Sequence, residues 1–277
     1  MRSQIFPMVK TALLFLSLSL GALFPLNEAR SEGLTYDNFK GTWQVSSANI
    51  DTTLSRKANY NYNDPRLLGR LVTIDDHGIV TDFPEASVCL DPRARPLTST
   101  IDNVVAITMG KTKKKNSKLN RFDLPFDTTR NFQMWWVGCG KGDIGPDTPF
   151  GPSNENWIAA VSQEQIAMRW YDDTILLLQR LTTGAKPYPS FSCAGPLNST
   201  ERQVCSSLSL SELDKSISQA FSQTVIKLKN QGLSAKLSSV RSAQKKWVME
   251  RNKCGADEPC LRKTMHHRLD ELVTSEE

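Results

Sequence analysis

The sequence predicts an α+β protein of two domains, an antiparallel β-barrel followed by a small, disulfide-stapled, three-helix domain. Three observations lead there. Short runs of β-type residues separated by turn signals fill about residues 34–181. Helical stripes fill residues 190–277. Between them TTGAKPYP, with a glycine and two prolines, reads as a linker at residues 182–189. The chain has 277 residues, 39% of them apolar and 23% charged. That composition is ordinary for a globular protein and allows a sizeable core.

The first segment is not expected to join that core. Arg2 and Lys10 precede the apolar run TALLFLSLSLGALF, residues 11–24. A bilayer span needs roughly 20 apolar residues, so this run reads as a secretory signal peptide over residues 1–29. Cleavage is expected after Ala29, with Gly21 as the alternative, and an uncleaved anchor is the rival. Export predicts a periplasmic or secreted protein with no stable membrane span after cleavage.

In the barrel region the strand candidates are TWQVSSANI, LLGRLVTID, GIVTDF, VVAITM, FQMWWVGC, WIAAV, QIAMRWY and TILLLQRL. About eight short strands in roughly 150 residues fit an up-and-down barrel or a closed sandwich. The best hairpin is QIAMRWYDDTILLLQRL, whose strands flank a turn at Tyr171–Asp173. Trp135 and Trp136 are adjacent on a strand and must face opposite sides. Gly41-Thr42-Trp43 opens the first strand and Arg169 lies on a late one. These residues resemble the lipocalin Gly-x-Trp signature. That resemblance implies Trp43 at the barrel base beside Arg169, and an interior that is either filled or holds one small apolar ligand.

Export gives the six cysteines a meaning, since an even count in an exported chain predicts disulfides. Cys89 and Cys139 stand alone in the barrel region and form the natural pair. Cys193, Cys205, Cys254 and Cys260 are expected to pair locally, as Cys193–Cys205 and Cys254–Cys260, with Cys205–Cys254 as the rival bridge. There is no Cys-x-x-Cys, and the histidines are only His77, His266 and His267, so no structural metal is expected. The formal charge is +5. The dense basic run KTKKKNSK, residues 111–118, lacks stacking aromatics, and no nucleic-acid partner is expected.

After the linker, the first helix is predicted from the capping box Ser209-x-x-Glu212, with Leu210, Leu213, Ile217, Phe221 and Leu228 inward and Gly232 at its end. The second runs from about Lys236 to Asn252, with Leu237, Val240, Trp247 and Val248 inward. The third starts near Pro259 and carries Leu261, Met265, Leu269 and Leu272. On the second helix a stripe of Arg241, Gln244, Trp247 and Arg251 mixes an indole with polar groups where aliphatic residues are expected. An arginine can lay its stem along Trp247 and pair with a carboxylate on another helix, for which Glu201, Asp214 and Glu250 are candidates. The same stripe could instead serve as a contact surface.

This third of the chain resembles a known family. Phe191 and Cys193, Glu201 and Cys205, Leu213 and Asp214, then Arg241, Gln244, Trp247, Arg251 and Cys254, then Cys260-Leu261 and Arg268-Leu269 match the pattern of the LprI-like domain, named for a lysozyme inhibitor. Met265 and Phe221 depart from it at packing positions. The resemblance implies an exported, non-enzymatic binding protein whose partner is lysozyme or another peptidoglycan-cleaving enzyme. A barrel that carries a small apolar ligand and a structural envelope protein are the alternatives. No catalytic residue and no cofactor are expected. His266 and His267 point about 100° apart on a helix and cannot form one site, and both are expected to face solvent. Asp172 and Asp173 read as turn formers.

Overall fold

The computed structural model of the chain describes residues 35–85, 87–110, 121–145 and 156–274. The expected signal peptide and the basic run at 111–118 lie outside these residues. Eight strands close an antiparallel barrel in simple sequential order. They are β1 (Gly41–Ile50), β2 (Leu71–Ile74), β3 (Gly78–Thr81), β4 (Val88–Thr100), β5 (Asn131–Gly142), β6 (Trp157–Ala160), β7 (Gln165–Trp170) and β8 (Thr174–Arg180). β8 returns to pair with β1, with Trp43 opposite Arg180 and Ile50 opposite Thr174. Five α-helices accompany the barrel: α1 (Ile101–Thr108), α2 (Ser199–Ser206), α3 (Leu208–Asn230), α4 (Ser234–Asn252) and α5 (Glu258–Thr274).

Strand periodicity sorts the barrel side chains into two cores. Trp43, Val45, Val72, Ile74, Ile79, Trp135, Val137, Ile158, Met168, Trp170, Leu176 and Leu178 point inward and, with Phe39, Tyr60, Leu67 and Phe83, fill the interior. The opposite faces of β5–β8 supply Met134, Trp157, Ala159, Ala167, Ile175 and Leu177, which are covered by α1 and by Phe122 and Leu124. The two adjacent tryptophans divide as the pleat requires: Trp135 is inside, and Trp136 packs against the outer cluster.

Two strand assignments change. VVAITM is not a strand but most of α1, capped by Thr100, whose hydroxyl accepts from Asn103 N at 3.0 Å. Its β-branched residues read as strand, yet Ile101, Val104, Val105 and Thr108 form a helical stripe that buries one face. The strand that VVAITM displaced is β4, whose sequence VCLDPRARPLTST carries two prolines and three charges. β4 pairs with β3 only through residues 88–90, so Pro92 and Pro96 lie where no strand on that side needs an N–H. The β7–β8 hairpin forms as expected. Trp170 pairs with Thr174 across the three residues 171–173, and Asp172 and Asp173 both take positive φ, 56° and 52°, which Asp tolerates in turns.

Four helices, not three, follow the barrel. α2 carries a reciprocal capping box, in which Asn198 accepts from Glu201 N and the Glu201 carboxylate accepts from Asn198 N, each at 2.9 Å. Ser207, extended at φ −115° and ψ 119°, ends α2 and caps α3. The expected capping box at Ser209 and Glu212 does not form: the cap is Ser207 alone, which accepts from Leu210 N at 3.3 Å, and Ser209 lies inside the helix. α3 ends at Gly232, whose φ of 68° permits a Schellman turn with Leu233 N bonded to Leu228 O. Val204, Leu210, Leu213, Ile217, Leu261, Met265, Leu269 and Leu272 form a third core.

The three disulfides are Cys89–Cys139, Cys193–Cys205 and Cys254–Cys260, the local set rather than the Cys205–Cys254 rival. Residues 34–277 make one compact unit. Hydrogen bonds and ion pairs join the barrel to the helices, from Arg66 and Arg70 before β2 and Asp82 after β3 to α3 and α5.

Candidate functional site

The polar stripe of α4 is resolved into specific pairs. Arg251 is buried, and its Nη1 donates to Asp214 Oδ1 on α3 at 3.3 Å. The other Asp214 oxygen accepts from Ser190 N at 2.8 Å and Ser190 Oγ at 2.5 Å, so the carboxylate ties the incoming chain to two helices. The Arg251 guanidinium lies 5.3 Å from the Trp247 ring centre. Burial pulls the Arg251 guanidinium below its ordinary range, and the charges of Asp214 and Glu201 oppose this. Of the three candidate carboxylates, Asp214 is the partner. Glu201 is occupied in its capping box, and Glu250 pairs with Lys253 at 2.7 Å.

Two turns earlier, Gln244 Oε1 accepts from Arg268 Nε at 2.9 Å, and Arg268 Nη1 reaches Glu271 at 2.9 Å. Trp247 Nε1 donates to the Thr264 carbonyl at 3.4 Å. Arg241, at the start of the stripe, stays exposed. The stripe thus bolts α4 onto α3 and α5 by paired polar groups, while Arg251 is the only residue of α4 that is fully buried. Above these pairs α4 and α5 leave a groove of about 500 Å³, lined by Lys246, Trp247, Glu250, Lys263, His267 and Glu271 among others.

At the barrel base, Trp43 Nε1 donates to the Phe39 carbonyl at 2.7 Å. The cation over the Trp43 ring is Arg180, 4.1 Å from its centre, and not Arg169. Arg169 alternates with Met168 and Trp170, which point inward, so it takes the outer face of β7 and cannot reach Trp43. Arg180 also donates to the carbonyls of Lys40, at 2.8 Å, and Asn38. A Cβ at Gly41 would approach Arg180 Nη1 to 3.0 Å, and the φ there is +130°. This gives the glycine of the Gly-x-Trp signature its reason.

The junction between barrel and helices holds groups that sequence reasoning missed. Arg70 is fully buried and donates from Nη2 to Ser216 Oγ at 3.0 Å. Ser209 donates to Asp82, and Arg262 Nη1 donates to Ser209 Oγ at 2.5 Å. His266 is not solvent-facing as expected but half-buried here, while its neighbour His267 is exposed. Burial, then the charge of Arg70, pulls the His266 imidazole down to about 4, against a hydrogen bond with the Asp82 backbone. A cavity of about 700 Å³ opens beside these groups, walled by Leu71, Val80, Phe83 and Pro84. An arginine within the apolar run LLGRLV was the available signal for this junction. Among the described residues no cluster of His, Cys, Asp or Glu could hold a metal ion, and no helix is long and apolar enough to cross a membrane. No family model, curated protein or solved structure matches the chain.

Proposed function

We propose that the chain is an exported, non-enzymatic binding protein that engages a partner protein at the α4–α5 groove. The partner implied by the LprI-like resemblance is lysozyme or another peptidoglycan-cleaving enzyme. The observation that carries this reading is the groove itself, whose half-exposed Trp247 is held in place by Arg251 and Thr264. A tryptophan fixed in a pocket and rimmed by charges has the make-up of a binding hot spot. The rim alternates in sign, with Lys246 and Lys263 beside Glu250 and Glu271. The apolar-ligand carrier has less support, because the inward side chains of all eight strands take up the barrel axis.

The purified protein should slow a lysozyme in a cell-wall turbidity assay, and Lys246→Glu with Glu250→Lys should weaken that effect without lowering the melting temperature. Inhibition by short-range packing should persist at about 0.5 M salt, where the Debye length is ~4 Å. Absence of inhibition across several lysozyme types at micromolar concentration would remove this reading.

A further inference from the structure

The tip of the α3–α4 hairpin, far along the chain from the groove residues of α5, has a charge pattern of its own. Residues 216–249 contain Lys227, Lys229, Lys236, Arg241, Lys245 and Lys246 and no Asp or Glu. The whole chain is +5, so the rest of the sequence sums to −1 and this one segment holds the excess. All six cations are exposed. The Schellman turn at Gly232 places two exposed apolar side chains among them, Ile226 at 57% exposure and Leu233 at 38%. Both helices are exposed on most sides here: in residues 225–239 only Leu228 is buried. A projecting end that combines lysines with aliphatic residues suits a surface that is anionic outside and apolar beneath.

We infer that the α3–α4 tip docks end-on against an anionic lipid bilayer. Lys229 and Lys236 meet headgroup phosphates, while Ile226 and Leu233 enter the boundary of the acyl region. Arg241 and Lys245, farther up α4, add attraction before contact. A nucleic acid is the weaker occupant, because residues 222–246 contain no aromatic side chain on which a base could stack. This docking leaves the α4–α5 groove open and does not depend on what the groove binds.

The test uses residues 34–277 with the disulfides formed, since they make one compact unit and the apolar run at 11–24 would itself partition into lipid. The protein is sedimented with vesicles of phosphatidylcholine alone, and with vesicles in which roughly one-third is phosphatidylglycerol. Binding is expected only to the anionic vesicles, and about 0.5 M salt should release most of it, unlike the inhibition of lysozyme. Lys229→Gln with Lys236→Gln should weaken vesicle binding roughly 25-fold, about fivefold for each lysine. Ile226→Ser should weaken it further, and thermal melts should show all variants folded, because these side chains are exposed. Equal binding to neutral vesicles, no binding to anionic ones, or a double variant that binds like the parent would each overturn the inference. So would capture by heparin without any binding to vesicles.

Discussion

Arg251 shows how a charged residue becomes structural in a small helical core. Its side chain and that of Asp214 are 6% and 7% exposed, so neither charge is well hydrated. Removing one partner strands the other, which costs about 3–5 kcal/mol for a buried pair. Asp214 keeps its two bonds from Ser190, so Arg251→Ala should fall at the lower end of that range. Arg241→Ala, on the same stripe but exposed, should change stability by no more than about 0.5 kcal/mol. Thermal melts of the two variants provide the check, and an unchanged melt for Arg251→Ala would return the residue to the contact surface. Trp43 teaches a related lesson. Its arginine is chosen by strand parity and register, which put Arg180 directly opposite it on β8.

At the scale of elements, α5 carries a pH dependence into the junction. The His266 imidazole sits near 4 in the folded protein, against about 6.5 in an unfolded chain. The unfolded chain therefore takes up its proton first, so stability falls as pH drops from about 6.5 towards about 4. The loss is at most about 3.4 kcal/mol, and the partial exposure of the ring reduces it. Arg70 and Arg262 add to the cost of charging this ring, and removing the ring removes its share of the slope. Denaturant midpoints at pH 7 and pH 4.5 should thus lie closer together for His266→Gln than for the parent. An identical pH dependence in both would show that other groups govern it. The helix α1 and the strand β4 make a separate point about elements. The β-branched residues of VVAITM read as strand where α1 forms, and the segment of β4, with its two prolines and three charges, is absent from the strand candidates. Stripe spacing was the better guide in α1, and the missing neighbour beyond Leu90 explains β4.

At the scale of the whole molecule, the helical region owns its core. The cluster around Leu213, Leu261 and Leu269 takes all its members from residues 191–273, and two disulfides close within it. Its contacts with the barrel include polar ones through Ser209, Ser216 and Arg262. Residues 190–277, expressed alone under oxidising conditions, should therefore unfold cooperatively, at a lower temperature than in the full chain. A broad, non-cooperative melt by circular dichroism would mean that the barrel completes this core.

Local pattern determined much of this protein from the sequence alone. Short β-type runs bounded by turn signals marked seven of the eight strands, the isolation of Cys89 and Cys139 in the barrel region and the short separations among the other four cysteines gave the pairs, and the α4 stripe announced Arg251 with Asp214 among its possible partners. These features depend on neighbours within a turn, a hairpin or one small core, where spacing decides which face a side chain takes. Tertiary structure alone decided the rest: Arg180 rather than Arg169 over Trp43, the burial of Arg70 and His266, Ser209 as a barrel contact rather than a cap, and the groove between α4 and α5. The groove depends on how α4 packs beside α5, while all the others depend on a closed barrel bringing β8 to β1, or on helices docking against it. Residues more than a hundred positions apart become partners there, and no local periodicity encodes that meeting.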